Sequence, residues 1–324
     1  MRPTSFLVNK SVIGIKESGL LQKINQYTSS ESKIYYSRLD KEGKVDIPGY
    51  KPDGRTVVVI GGDGTISSNF DYVQRAYEAD SSKPPNMLPI ACGTGNGINV
   101  ALDLKLSGFE LLERYASDKL IPRSIDLIEM QDNSRARYVL NIFDAGLVPL
   151  VLEQRNELLL KNPEFFNTHS KVYRQEIAYG LASLIAIAKG YNYEFSRIEL
   201  DGKPQDTENV KLLTLGNGLS YSSKPGIYPL PVALIDDGLI STASHKIPSF
   251  GIPRWWVSLT TGITMLLHIK NPYAAKYSEA EEVLIEGHQI PCQLDGEYIG
   301  RKNSIELRIH KASEGKGLNI LVPN

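Results

Sequence analysis

Two glycine-rich loops in the first third of the chain could bind phosphate. The first contains Gly61, Gly62, Asp63, Gly64 and Thr65, and it follows the apolar run TVVVI and precedes a helical pattern. Glycines at the end of a buried strand can turn backbone N–H groups toward an anion, and the positive end of the next helix adds to this. An aspartate in that turn suits a magnesium ion that neutralises phosphates. The loop therefore predicts a nucleotide site, with a tight turn that binds no ligand as the simpler alternative.

The second loop contains Gly93, Thr94, Gly95 and Asn96 and leads from the segment LPIA into another helical pattern. These residues would supply further backbone donors at a helix start. Asn96 could either cap that helix or contact a ligand. The two loops together favour a nucleotide whose phosphates lie between two helix starts.

Two carboxylates flank one glycine in a third segment, Leu294-Asp295-Gly296-Glu297, which we call the D-G-E turn. The pattern is typical of the tip of a β-hairpin. A carboxylate in such a place can take the proton of an attacking hydroxyl group. In isolation an acidic turn with solvated side chains would be the better interpretation, and the two glycine loops are what favour a catalytic one.

These segments resemble the catalytic domains of diacylglycerol kinases and sphingosine kinases. The string GGDGT is also similar to loops of NAD kinases and phosphofructokinases, but the second loop at this spacing resembles the lipid kinases alone. Other landmarks of the family follow in order along nearly the whole chain: Asn9, Asp126, Asn141, Gly146, Asn217 and the segment DDGL at 236–239.

The resemblance implies a catalytic group built from carboxylates of both halves of the chain. It implies Asp295 as the general base and Glu297 as its electrostatic or magnesium-linked partner. It also implies that magnesium-bound water joins Asp295 to Asp63 and Asp126. The reaction expected is transfer of the γ-phosphate of ATP to the hydroxyl group of a lipid alcohol.

The same resemblance implies the cofactors ATP and Mg²⁺. ATP would contact Asn9 and the two glycine loops. A separate structural magnesium ion would be held by Asp237 and the backbone carbonyl of Ile240, although a hard cation also requires other oxygen ligands.

Three positions depart from the family pattern. Gly97 stands where many members have an acidic residue, Ser67 and Ser68 stand where a glutamate is usual, and Leu150 stands near the place of a substrate-contacting aspartate of sphingosine kinases. These departures leave open a lipid-binding protein of the same fold with weak or lost activity. NAD kinase is a further alternative, which the second loop and the D-G-E turn disfavour.

Length and composition indicate a globular protein of two domains. The chain has 324 residues, 41% of them hydrophobic and 23% charged, and one core rarely organises that length. Strand-like runs at 5–8, 33–36, 56–60 and 87–91 alternate with helical patterns at 14–27 and 67–77, which is typical of a parallel α/β sheet. Later strand-like runs at 125–130, 137–143, 193–200, 210–216, 282–286 and 304–310, interrupted by helical patterns at 151–160 and 173–189, favour an antiparallel β domain.

We therefore predict an α/β plus β-rich fold, with a Rossmann-like nucleotide domain over residues 1–124 and an antiparallel β-sandwich over residues 125–310. The tail at 311–324 could return to the first domain. The substrates would meet in a cleft between the two domains.

The charge balance limits the partners. The formal net charge of −1 argues against binding to nucleic acid, which needs clustered basic residues. No apolar segment reaches the ~20 residues that a membrane span requires. We therefore expect a cytoplasmic protein that meets its lipid at a membrane surface through Trp255 and Trp256 or through the apolar segment 179–188. Monomer and homodimer are both left open.

Overall fold

The computed structural model describes most of the chain in separate ranges. These are residues 3–9, 19–27, 29–39, 45–80, 84–92, 97–104, 106–132, 136–164, 171–189, 192–218, 222–223, 226–227, 230, 233–246 and 274–324. Within these ranges, no helix combines the length and the apolar character needed to cross a bilayer.

A six-stranded sheet forms the first half of the fold. Its strands are β1 (Thr4–Val8), β2 (Lys33–Tyr36), β5 (Thr56–Gly61), β6 (Met87–Ala91), β7 (Leu120–Ile125) and β20 (Leu318–Pro323), in the order β2-β1-β5-β6-β20-β7. The first five in this order are parallel neighbours, and β7 runs antiparallel to β20. The run TVVVI is buried along β5 because helices cover both faces of such a sheet.

Helices connect these strands. They are α1 (Leu20–Tyr27), α2 (Asp63–Ala79), α3 (Gly97–Ala101) and α4 (Gly108–Ala116). Helix α2 begins at Asp63, earlier than the helical pattern predicts, so part of the first glycine loop is the first turn of the helix. Helix α4 begins with a capping box in which Ser107 and Glu110 exchange side-chain and backbone hydrogen bonds.

A larger antiparallel sheet forms the second half. Its main path is β17-β16-β13-β10-β18-β19-β8-β9, and β11 and β12 extend it beside β18. The strands are β8 (Leu127–Asp132), β9 (Ala136–Val139), β10 (Ile142–Gly146), β11 (Glu194–Leu200), β12 (Lys203–Pro204), β13 (Val210–Gly216), β16 (Ile240–Lys246), β17 (Ala274–Ala280), β18 (Glu282–Leu294) and β19 (Glu297–His310). Two small hairpins lie apart from both sheets: β3 (Arg38–Leu39) with β4 (Val45–Asp46), and β14 (Ser222–Ser223) with β15 (Gly226–Ile227).

One core joins both ends of this sheet. Side chains from β8, β10, β11, β13, β18 and β19 belong to a single buried cluster, so the sheet curls around its own apolar face. Helices α5 (Leu147–Lys161) and α6 (Lys171–Lys189) add Leu150 and Ala186 to this cluster. The predicted class, an α/β part followed by an antiparallel β-rich part, is confirmed.

Two strands predicted as continuous are interrupted, and here the prediction was wrong. The run 125–130 is split at Asp126 between β7 and β8, and the run 137–143 is split at Leu140 and Asn141 between β9 and β10. At the second break, the backbone N–H groups of Leu140 and Asn141 donate to the carboxylate of Asp295. A backbone group that bonds a side chain cannot also serve the strand ladder, so the strand ends there.

Candidate active site

The first glycine loop and the D-G-E turn line one cleft of about 910 Å³. Asn9, Gly64, Thr65 and Glu297 all line this cleft, and a Cβ added at Gly64 would lie 3.9 Å from Glu297 Oε2. Residues far apart in sequence therefore meet where the α/β part contacts the β-rich part.

The first loop is held by short contacts. Gly62 precedes α2 without a side-chain cap, and the first turn of a helix offers N–H groups that have no acceptor within the helix. Asn9 Nδ2 donates to Thr65 Oγ1 at 3.0 Å. A Cβ added at Gly61 would lie 2.5 Å from Thr65 Cγ2, so this position requires glycine if Thr65 is to keep its place.

Asp63 connects the first loop to the helix that follows the second. Its carboxylate accepts hydrogen bonds from the backbone N–H groups of Gly97 at 3.1 Å and Ile98 at 3.3 Å. Gly97, where the family often has an acid, thus serves as a backbone donor at the start of α3. Residues Gly93, Thr94, Gly95 and Asn96 lie outside the described residues, and their contact with a nucleotide stays a prediction.

Asp295 is buried beneath the cleft, with 5% of its surface exposed. Its carboxylate accepts from Ser67 Oγ at 2.5 Å and from the N–H groups of Leu140, Asn141 and Ile142 at 2.9 to 3.0 Å. Burial raises the pKa of Asp295, while these four hydrogen bonds oppose the rise. Four donors match the roughly four lone-pair sites of an ionised carboxylate, so this arrangement holds the charged form.

Glu297 has a different environment, although only Gly296 separates it from Asp295. Its side chain is exposed in the cleft, and Ser68 Oγ lies 3.3 Å from Glu297 Oε2. The same hydroxyl group donates to the carbonyl of Gly64 at 2.7 Å. Glu297 therefore faces the first turn of α2.

Asp126 lies at a junction between the two halves. It is 2% exposed, and its carboxylate accepts from the N–H groups of Gly238 at 2.6 Å and Ala312 at 2.7 Å. Its backbone N–H donates to the carbonyl of Ile235. These contacts tie three segments together, and a part for Asp126 in a magnesium–water network stays a prediction.

The predicted structural magnesium site falls on the loop before β16. Asp237 accepts from the N–H of Leu239 at 3.0 Å, and Ile240 is the first residue of β16. Partial burial, together with the charges of Glu279 and Asp126, raises the pKa of Asp237. A cation bound nearby would lower that pKa again. Among the described residues, no three acidic, histidine or cysteine side chains form a complete metal site.

Some residues of the cleft escaped the sequence analysis. Tyr35, Tyr36, Ser37 and Arg38, with Val45 and Pro48, line the side of the cleft that the β3–β4 hairpin borders. Nothing in their order forms a motif. Their position in the sequence could have indicated them, because Tyr35 and Tyr36 end β2 and its carboxyl end lies beside that of β1 and Asn9.

Comparison with known proteins identifies the first half of this site. Residues 6–130 match the family model of the diacylglycerol kinase catalytic domain. Over these residues the chain is similar to that lipid kinase family, in agreement with the predicted resemblance. The match covers Asn9, the first glycine loop and Asp126, and it stops before the D-G-E turn. No curated protein matches the chain in sequence.

Solved structures share the fold over its full length. A candidate diacylglycerol kinase from Bacillus anthracis is 16% identical with a TM-score of 0.63, covering 100% of this chain and 95% of that one. A structure described as a diacylglycerol kinase from the same organism is 15% identical with a TM-score of 0.62, covering 100% and 97%. At this identity the likeness concerns the fold, and it includes both halves of the cleft.

Proposed function

We propose that this chain is an ATP-dependent kinase that transfers the γ-phosphate to a hydroxyl group of a lipid alcohol. The observation that carries the proposal is the meeting of Glu297 with the start of α2 in one cleft. Phosphoryl transfer requires positioning and charge stabilisation more than covalent chemistry. A helix start and a carboxylate facing each other supply both requirements.

The nucleotide would bind with its phosphates at the first turn of α2, beside Gly64 and Thr65. Asn9 fixes the Thr65 hydroxyl through their hydrogen bond. The tyrosines at 35 and 36 offer aromatic surface to the remainder of the nucleotide. Mg²⁺ usually takes one or two carboxylates and completes its shell with phosphates and water, and Asp63, within this loop, is the carboxylate that would contact it. When bound, the ion would neutralise charge on the phosphate oxygens.

Glu297 is the better candidate for the general base. Its carboxylate is exposed in the cleft, whereas the lone pairs of Asp295 are already occupied by four donors. In the step we propose, Glu297 takes the proton of the lipid hydroxyl as that oxygen attacks the γ-phosphorus. The bond from the γ-phosphorus to the bridging oxygen breaks, and ADP leaves with the electron pair.

Asp295 and Asp126 would serve by holding the frame of the site. Asp295 fixes the D-G-E turn to α2 and to the start of β10, and Asp126 fixes the segments before β16 and β20. Both bury a charge, and both satisfy it with donors from other segments.

Contact with a membrane would come from the outer surface of α6. Leu184 is 65% exposed and Leu181 is 40% exposed on this helix, and Leu160 at the end of α5 is 80% exposed. These residues support the segment 179–188 as the lipid-facing surface. Trp255 and Trp256 lie outside the described residues. A protein that docks in this way would be cytoplasmic and peripherally bound.

The test is an assay of the purified full chain with γ-labelled ATP, Mg²⁺ and vesicles of total lipid extract. The expected result is label in an organic-soluble product that mass spectrometry identifies as a phosphorylated lipid alcohol. The Glu306→Gln variant, which changes an exposed carboxylate on the same strand as Glu297, should retain full activity. Label transferred to NAD, or ATP hydrolysis with no labelled lipid, would refute the proposal.

A further inference from the structure

The first two residues of β19, Glu297 and Tyr298, contact different parts of the molecule. Side chains of adjacent residues in a strand point to opposite faces of the sheet. Glu297 lies in the cleft, and Tyr298 reaches helix α5, where its hydroxyl group donates to Glu153 Oε1 at 2.5 Å. A displacement of Tyr298 would therefore be transmitted to Glu297 through one peptide bond.

Glu153 holds a second residue of the same strand. Arg301 donates to it twice, from Nε to Oε1 at 3.0 Å and from Nη2 to Oε2 at 2.6 Å. Its Nη1 donates to Asn192 Oδ1 at 3.0 Å and to the carbonyl of Gln289 at 3.1 Å. A two-pronged guanidinium–carboxylate pair has a fixed geometry, so it sets the orientation as well as the distance between α5 and β19.

The side chains of this hydrogen-bond network are largely shielded from solvent. The Glu153 and Arg301 side chains are only 18% and 19% exposed, and they border a separate cavity of about 470 Å³ between α5, α6 and the sheet. Burial opposes ionisation of Glu153, but hydrogen bonds from Arg301 and Tyr298 outweigh it, so the pKa of Glu153 lies below its usual value. The charged network is thus the stable state at neutral pH.

The backbone on the far side of the network is irregular. Between Glu286 and Ile290 the β18–β19 register shifts, and Gln289 has a φ of 51°. This bulge brings the Gln289 carbonyl to Arg301. A positive φ at a residue other than glycine costs free energy and persists only where contacts with the surroundings stabilise it. The hydrogen bond from Arg301 to the carbonyl of Gln289 is one such contact.

Helix α5 is itself fixed to the catalytic turn. It begins directly after β10, whose first residue, Ile142, donates its N–H to Asp295. The D-G-E turn is thus held on its Asp295 side by the start of β10 and on its Glu297 side by the helix that continues β10. Glu153, on that helix, completes this set of contacts by accepting hydrogen bonds from Tyr298 and Arg301.

We propose that Glu153 is a positioning residue for Glu297, and that it acts through Tyr298 and Arg301 to aim the Glu297 carboxylate into the cleft. The inference rests on the proposed function, since it assumes that Glu297 acts on the substrate. Glu153 lies outside the cleft and touches neither nucleotide nor acceptor in this arrangement. Its effect must therefore pass through Glu297 and vanish when Glu297 no longer acts.

A double-mutant cycle on turnover tests this. Glu153→Gln should lower kcat about 10-fold to 100-fold, the usual loss when an outer partner that orients a reacting group is removed, while the Kd for Mg²⁺–ATP stays within about twofold, because the first glycine loop is untouched. In the Glu297→Gln background the same change should alter kcat less than about threefold. Tyr298→Phe, which removes one hydroxyl group, should show the same pattern with a smaller loss.

Glu157→Gln is the matched control, since Glu157 borders the same cavity one turn further along α5 and pairs with Lys161. It should leave kcat unchanged. Equal fold-losses in both backgrounds, or unchanged kcat in both Glu153→Gln and Tyr298→Phe, would overturn the inference while an active wild type leaves the proposed function standing. A wild-type chain without kinase activity would instead remove the proposed function and this inference with it.

Discussion

The two carboxylates of the D-G-E turn are separated by one glycine and occupy opposite environments. Asp295 is buried and accepts four hydrogen bonds, three of them from the backbone of another segment. Glu297 stands in the open cleft beside a serine hydroxyl. The difference shows that a motif identifies neighbouring residues in the sequence, whereas the donors around each residue decide which carboxylate is buried in hydrogen bonds and which one faces the cleft.

The largest effect is expected from Glu297→Gln. The amide keeps the shape of the side chain but cannot take the proton of the acceptor, so kcat should fall about 10²-fold to 10⁴-fold. Nucleotide affinity and thermal stability should change little, because the side chain is exposed. Steady-state kinetics, calorimetry with Mg²⁺–ATP and thermal unfolding measure the three quantities.

A near-normal kcat in Glu297→Gln would remove this residue from the chemistry. If nucleotide affinity were lost in parallel with turnover, Glu297 would instead be a ligand of the magnesium ion.

The main effect of Asp295→Asn should be a lower free energy of unfolding. The new NH₂ group faces donors and cannot accept from them, so two buried donors lose their acceptor at about 1–3 kcal/mol each. We expect the free energy of unfolding, measured by urea denaturation, to fall by about 2–6 kcal/mol. Turnover should fall as well, because the turn that carries Glu297 is loosened. A variant as stable as the wild type but inactive would return the role of base to Asp295.

In contrast to Asp295, His245 is a buried titratable residue whose ring makes no hydrogen bond with the described residues. It is 4% exposed, and neither ring nitrogen has a hydrogen-bond partner in the part of the chain that the structure describes. Burial lowers the pKa of His245 from 6.5 to about 4. Between these values the unfolded chain binds a proton that the folded chain does not, so stability falls as the pH drops from about 6.5 to about 4.

The His245→Leu variant should lack this component. The stability difference between wild type and variant should change by about 3 kcal/mol between pH 7 and pH 4, following 1.36 kcal/mol per pKa unit. Urea denaturation at several pH values measures it. A difference that is constant with pH would show that the pKa of His245 is the same in the folded and the unfolded chain.

The smallest effect is expected from substitutions of exposed residues on the outer surface, to which we assign no part in catalysis. Leu184→Ser on α6 should reduce co-sedimentation with vesicles a few-fold, because about 1.5–3 kcal/mol is available from burying one leucine and only part of it is gained at a bilayer surface. Leu234→Ser, which changes a leucine 60% exposed elsewhere, is the matched control. Equal losses in both variants would place the membrane contact outside α6.

Local patterns predicted the parts of the fold that depend on local order. The strands at 5–8, 33–36, 56–60 and 87–91 are present, and the first glycine loop lies at the end of β5. A local pattern suffices there because β1, β5 and β6 are buried along almost their whole length, so that continuous apolar runs mark them. The halves of β18 and β19 were also found, but their joining into two long strands through bulges depends on partners far along the chain.

The contacts of Ser67 and Ser68 could not be predicted for the same reason. As departures from the family pattern they left open weak or lost activity. In the structure, Ser67 donates to Asp295 across 228 positions of sequence, and Ser68 contacts Glu297 across 229. Each serine meets one carboxylate of the D-G-E turn, and only the folded arrangement of α2 against β18 and β19 reveals this.

The last strand of the chain has a consequence for biosynthesis. Strand β20 lies between β6 and β7, and Leu318, Ile320 and Leu321 are buried there. Until the ribosome has released these residues, β6 and β7 have no common neighbour and the growing sheet carries an open edge. The α/β half, although most of it is made first, therefore cannot be completed before the β-rich half has been synthesised, and a nascent chain that stalls short of β20 would present that edge to chaperones.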